Sequence, residues 1–184
     1  MSDPRQFESF MQNYQDMVFT TALRLVGHQA DAEDIAQETF LRAYRHFDEL
    51  RHSPSAGGWL KTVARNLSLN HLSRYRARWR FFSESETDRP GHEDRDFASE
   101  LPAPDTHEQC TDAADRRALI ESALEGLPTS QRVALVLYHF EDRSYEEIAS
   151  SLRVSLGKVK TDIHRAREVL RRKLAPTLVR EGFS

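Results

Sequence analysis

The sequence predicts an all-α fold of two small helical domains joined by a flexible acidic linker. Three observations predict it. Apolar residues recur three and four apart in both halves of the chain, the spacing that gives a helix one buried face. Charge is sorted: residues 83–115 hold eleven Asp and Glu against Arg89 and Arg95, a net −9 within a chain of net −3, which leaves the remainder at +6. Near the end, Ser144 and Glu147 stand three apart ahead of Ile148 and Leu152. That is the spacing of a capping box, and a basic segment follows after a two-residue turn.

The first domain is placed at residues 1–80. Phe7, Phe10, Met11, Tyr14, Met17, Val18, Ala22, Leu25 and Val26 mark an amphipathic helix over 5–26, and Gly27 suits the left-handed residue that ends it. Asp31 is the expected cap of a second helix over 31–47. Its expected buried stripe is Ala32, Ile35, Ala36, Phe40, Ala43, Tyr44 and Phe47. The opposite face carries Asp34, Gln37, Glu38, Leu41, Arg42 and Arg45. Leu41 is the odd member, and fits either a solvated face with one tolerated leucine or a docking surface. Residues 48–58, with Pro54 and Gly57-Gly58, read as a loop. A third helix follows over 59–79, with Trp59, Leu60, Val63, Ala64, Leu67 and Leu72 as its apolar contacts. Between 59 and 80 it carries Lys61, Arg65, Arg74, Arg76, Arg78 and Arg80 and no acid. With Asn66 and Asn70 alongside, such one-sided charge suits a nucleic-acid backbone, an acidic protein being the alternative.

The linker is placed at 81–112. It has Pro90, Pro102 and Pro104 and no sustained apolar period, so it offers too little apolar surface to offset the entropy of ordering. The second domain, 113–184, begins with a short helix marked by Ala118, Leu119, Ala123 and Leu124 and closed by Gly126. Pro128, Thr129 and Ser130 open the next, in which Val133 to Tyr138 and Phe140 are apolar; a helix that apolar belongs in the middle of a bundle. The Ser144–Leu152 helix and the turn at Arg153-Val154 lead to Ser155, a second cap. The basic helix from Ser155 should reach about Leu174, with Pro176 marking its stop. Val159, Ile163, Ala166 and Leu170 are its buried stripe, while Lys158, Lys160, Thr161, His164, Arg165, Arg167, Arg171, Arg172 and Lys173 occupy the other sides. Two short helices joined by a tight turn, the second basic, read as a helix-turn-helix whose second helix enters the DNA major groove.

Composition bounds the function classes. Charged residues make up 30% and hydrophobic ones 39%, the balance of a soluble helical protein. No apolar run approaches the ~20 residues of a membrane span, and the N-terminus lacks a signal-peptide pattern. The single cysteine, Cys110, excludes an internal disulfide framework and fits a cytoplasmic protein; it reads as a bystander rather than a redox switch. Gly57-Gly58 lacks the lysine-serine pair of a phosphate cradle. The histidines are scattered, with no cluster of metal-ligand spacing. Glu146 and Glu147 point apart on a helix, and no nucleophile stands with a base. The expectation is a protein that is not an enzyme and needs no metal or cofactor.

The residues also resemble a family. Asp31-Ala-Glu-Asp-Ile-Ala-Gln-Glu-Thr-Phe-Leu-Arg-Ala-Tyr44 resembles the region 2 helix of bacterial extracytoplasmic-function (ECF) sigma factors, and Trp59–Leu67 is similar to the next region 2 helix. Leu127-Pro128, Ser144–Ala149 and Val159–Arg167 are similar to region 4. The resemblance covers roughly 5–80 and 113–175, and three such motifs in order are specific. It implies an initiation factor that joins core RNA polymerase and directs it to promoters. Asp34, Gln37, Glu38, Leu41, Arg42 and Arg45 then become candidate contacts with the clamp coiled coil of the largest polymerase subunit, and region 4 is expected to touch the flap. The loop at 48–58 is implied to capture a base flipped from the −10 element. Arg51, His52, Ser53 and Trp59 would form or support that pocket, and Lys61, Arg65, Asn66, Asn70 and Arg74 the track for the strand.

For the −35 element, the resemblance places Lys160, Thr161, His164 and Arg165 toward the major groove, with Ser155, Lys158 and Arg167 on phosphates. Two residues depart from the family pattern. Asp162 stands where many relatives have arginine; it can accept from cytosine N4, or pair with Arg165 or Lys158. Arg153 occupies a turn where glycine is common, at about 1 kcal/mol if the backbone is left-handed there. The linker is implied to thread polymerase channels, its acids imitating nucleic acid, with a solubility tether as the alternative. An anti-sigma factor clamped over both domains is a further implied partner. The rival readings are a two-domain DNA-binding regulator that works without polymerase, a sigma-sequestering adaptor and, more distantly, a metal-dependent enzyme. No extra C-terminal regulatory domain is expected.

Overall fold

The computed structural model describes residues 4–83 and 113–180. The acidic linker, Cys110 and the side chains of Arg76, Arg78 and Arg80 lie outside the described residues. The chain divides into two compact units, Met1–Arg89 and Pro90–Ser184, and every regular element among the described residues is an α-helix. None of these helices is long and apolar enough to cross a membrane.

The first unit holds α1 (Pro4–Val26), α2 (Gln29–Arg45), α3 (Phe47–Leu50) and α4 (Ala56–Ser83), with α1, α2 and α4 packed against one another. Small residues make this packing close: Ala22, Ala32, Ala43 and Ala64 are fully buried. Phe10, Val18, Phe40, Phe47 and Leu60 fill the rest of the core, and the Phe47 ring stands edge-on to Phe7 and Phe10 at 5.1 and 5.4 Å. Gly27 ends α1 at φ 71°, its N–H donating to the Leu23 carbonyl at 2.8 Å.

Four expectations for this unit need correction. First, α2 starts at Gln29 behind His28, which makes no side-chain cap. Asp31 lies in the first turn instead, where a carboxylate still meets the positive end of the helix dipole, and approaches His71 Nε2 at 3.4 Å. Second, α2 stops at Arg45 because the backbone turns at His46, where φ is −114°. Phe47 and Leu50, three apart and both buried, then form the one-turn α3. Third, the loop shrinks from 48–58 to 51–55. Ala56 is buried and opens α4, and Gly57 is helical against the Tyr14 ring, which would lie 3.2 Å from an added Cβ. Fourth, Tyr44 is 55% exposed, touching only the edge of Phe7 at 4.9 Å among aromatic neighbours. Thr39 is buried in its stead, its hydroxyl satisfied by donating to the Ile35 carbonyl at 2.7 Å.

The second unit holds α5 (Ala113–Glu125), α6 (Thr129–His139), α7 (Tyr145–Leu152) and α8 (Leu156–Arg180). As its composition predicts, α6 is central: Val133 to Leu137 are all buried, and the helix packs on α7 and α8. Arg132 is buried beside them, its Nη1 donating to the Leu127 carbonyl at 3.4 Å. Ala118 is exposed rather than buried, and Ala123 and Leu124 alone of the predicted α5 stripe are fully inside. α8 does not stop before Pro176 but runs to Arg180. Proline removes only one rung there, to the carbonyl of Arg172, a residue on the exposed side that water can solvate.

The helix-turn-helix junction forms as its residues dictate. The Glu147 N–H donates to Ser144 Oγ at 3.2 Å, and the Ser144 N–H donates to Glu147 Oε2 at 2.9 Å. That amide, and next the Arg143 guanidinium at 2.8 Å, hold the Glu147 carboxyl below its ordinary range. Arg153 is left-handed at φ 55°, ψ 46°. The Val154 N–H donates back to Ala149 at 3.1 Å and the Arg153 N–H to Ser150 at 3.3 Å, which is a Schellman closure. Such a backbone disfavours any residue with a Cβ, so Arg153→Gly should stabilise the protein by about 1 kcal/mol. Urea denaturation checks this; an unchanged or lower midpoint contradicts it.

Candidate nucleic-acid interface

In the first unit, the α2 face forms because Asp34, Gln37, Glu38, Leu41, Arg42 and Arg45 recur at helical spacing opposite the buried Ala32, Ile35, Phe40 and Ala43. Leu41 is 54% exposed. Arg42 Nε donates to Glu38 Oε1 at 2.8 Å across the same face. Tyr44 follows Leu41 by three residues, so the face holds two half-exposed apolar side chains rather than one. Sequence reasoning missed Tyr44, because periodicity alone assigned it to the core.

The start of α4 lies against the end of α2. Glu38, Arg42, Arg45, His46, Trp59 and Val63 line a groove of about 380 Å³, and the His46 and Trp59 rings stand 5.8 Å apart. Three docking candidates and one base-pocket candidate therefore share one groove. Arg51, His52 and Ser53 do not line it. Arg51 reaches Gln6 at 3.3 Å and Asp48 at 3.5 Å. Ser53 Oγ accepts the Ser55 N–H at 3.3 Å and lies 2.8 Å from Ser55 Oγ, which organises the 51–55 loop. His52 is exposed. Along α4, Asn66, Asn70 and Arg74 succeed one another at four-residue steps on one exposed line, with the partly buried Lys61 and Arg65 on a neighbouring one.

In the second unit, α8 presents its candidates in two groups. Lys160, Thr161, His164 and Arg165 are all exposed, on the side away from Val159, Ile163 and Ala166. The Thr161 hydroxyl donates to the Gly157 carbonyl at 2.9 Å. The three residues expected on phosphates each have a partner within the unit. Ser155 Oγ accepts the Lys158 N–H at 3.2 Å as a helix cap. Lys158 Nζ lies 3.2 Å from Asp162. Arg167 donates through Nε and Nη2 to His139 Nε2 at 3.2 and 3.1 Å, with its guanidinium 5.3 Å from the Tyr138 ring centroid.

Burial, and after it the Arg167 guanidinium, push the His139 imidazole below its ordinary value of 6.5. A folded pKa below the unfolded one means that the unfolded chain takes up more protons as pH falls. The contribution is therefore complete above about pH 6.5 and is lost as pH drops through the folded value. The urea midpoint should fall more steeply from pH 7 toward 5.5 in the wild type than in His139→Gln. Parallel profiles contradict this.

Among the described residues no group of His, Cys, Asp or Glu is arranged to hold a metal ion. Residues 10–79 match Sigma-70 region 2, and residues 117–170 match Sigma-70, region 4. The chain is 31% identical over 96% of its length to the RNA polymerase sigma-H factor of Pseudomonas aeruginosa, covering 90% of that protein. It is 30% identical over 94% of its length to the ECF RNA polymerase sigma factor SigW of Bacillus subtilis, again covering 90%. The chain belongs to the ECF RNA polymerase sigma factors. They are transcription initiation factors. An ECF sigma factor of Mycolicibacterium smegmatis, SigE, is 38% identical over 92% of the chain, which spans 62% of that relative's length. In the terms of this ECF family, α1–α4 carry region 2 and α5–α8 carry region 4. The α2 face and groove belong to region 2, and the outward row on α8 to region 4.

Proposed function

We propose that this ECF sigma factor acts in the cytoplasm without chemistry of its own, binding core RNA polymerase and directing it to promoters. Region 4 reads the −35 duplex with the outward row of α8, and region 2 holds the opened −10 strand beside the polymerase-docking face of α2. The outward row of Lys160, Thr161, His164 and Arg165 on a capped helix-turn-helix carries the reading. Cationic and hydrogen-bonding side chains free of the core are what base edges in the major groove require. What supports the docking assignment is Leu41, an aliphatic side chain held half-exposed amid charges. Arg51, His52, Ser53, Trp59, Lys61, Arg65, Asn66, Asn70 and Arg74 surround the −10 strand in this account, with the Trp59 ring as a stacking platform. An anti-sigma factor would silence the protein by covering the Leu41 face and the α8 row together.

The test titrates the chain, core polymerase and their mixture on promoter fragments selected by the mixture. The mixture should bind specifically, while the chain alone binds weakly and with strong salt dependence. Tight, specific binding by the chain alone would instead show a regulator that works without polymerase.

A further inference from the structure

Asp162 is an acidic residue on the helix that this reading lays against DNA, and only 7% of it is exposed. It sits on the inner side of α8, next to the fully buried Ile163 and three residues after Val159. A carboxylate so placed does not reach a base edge, which removes cytosine N4 as its partner. Nor is it paired with Arg165. Its Oδ2 and Oδ1 lie 3.2 and 3.4 Å from Lys158 Nζ, one helical turn earlier. The backbone of Lys158 is fixed as well, its N–H donated to Ser155 Oγ at 3.2 Å.

We propose that Asp162 is a positioning residue that restrains Lys158, holding its ammonium on the helix and withholding it from a DNA phosphate. A buried carboxylate is costly unless a cation stays beside it. If Lys158 swung to a phosphate, the protein would be left with that uncompensated charge, so the two partnerships compete. Among the described residues Lys160 and Arg165 have no such partner, and they stay available to DNA. Region 4 therefore grips the backbone without the Lys158 ammonium. Discrimination then falls more heavily on the base-facing row, and weak non-specific binding is a built-in property of the helix. The inference rests on the reading that α8 faces DNA.

The experiment measures binding of the full-length chain to a labelled random-sequence duplex from 50 to 200 mM salt. Each phosphate contact adds about −0.9 to the slope of log affinity against log salt. Asp162→Asn should steepen the slope by about 0.9 and tighten binding at 50 mM by roughly threefold more than at 200 mM. Lys158→Met should erase that gain in the Asp162→Asn background and leave the slope unchanged in the wild-type background. An unchanged slope in Asp162→Asn, or a shallower slope in Lys158→Met alone, overturns the restraint. If Asp162→Asn does not fold, the Lys158→Met slope decides by itself. Charge reversal of the exposed row, Lys160→Glu with Arg165→Glu, measured alongside, separates the two levels: random-duplex affinity at 50 mM salt unmoved by that pair overturns the placement of α8 on DNA, and the restraint with it.

Discussion

Leu41→Arg should abolish binding to core RNA polymerase while leaving thermal unfolding unchanged. Leu41 is 54% exposed, so its loss opens no cavity in the region 2 core. Its neighbours on α2 are Gln37, Glu38 and Arg45 at helical spacing, with the Arg42–Glu38 pair beside them. This gives an apolar centre with a charged rim, the anatomy of an interface hot spot. Truncating such a centre typically costs ~2–4 kcal/mol, roughly 30- to 1,000-fold in affinity. A guanidinium adds to that loss, because it must be desolvated in a seat shaped for leucine. Anisotropy of labelled chain against core polymerase measures the effect. A dissociation constant within a few-fold of the wild type would contradict the docking assignment.

The second large effect belongs to Arg165. It is exposed on α8 and bonded to no side chain among the described residues, whereas Arg167, two residues on, is committed to His139 and Tyr138. On the helix proposed to enter the major groove, an exposed guanidinium is suited to bidentate recognition of guanine, worth about 1–3 kcal/mol of discrimination. Arg165→Ala should therefore lower the preference of the holoenzyme for its selected −35 sequence over a scrambled one by roughly 5- to 150-fold. Competition binding with the two duplexes reads this ratio. A preserved ratio would mean that another residue of the row reads the element.

The long helices were legible because their apolar residues repeat over several turns, as from Phe10 to Val26 on α1. The helix-turn-helix was legible because its signals are local, a Ser144–Glu147 box and a Ser155 cap that use only neighbouring backbone. What failed was the assignment of depth. Tyr44 fits the period of the α2 core yet is half-exposed, because α1 offers it only the edge of Phe7. Thr39 and Arg132 look polar in sequence, but carbonyls within reach let both be buried. Leu50 was hidden in an apparent loop, since with Phe47 it makes only two apolar residues in one turn and no period.

The site shows the same division. Residue types and the family resemblance pick out the candidates, whereas their partnerships depend on packing. The sequence leaves three choices for Asp162, and only its depth on α8 brings it to Lys158. The resemblance also divides Arg42 and Arg45 from Trp59 by partner, whereas the packing of α2 on α4 sets them around one groove.

Run-off transcription from a genomic promoter library with reconstituted core polymerase tests the central claim most directly. The account predicts discrete start sites that appear only when the chain is added, that share one two-element motif, and that vanish with Leu41→Arg. Start sites no different from those of core polymerase alone would contradict it.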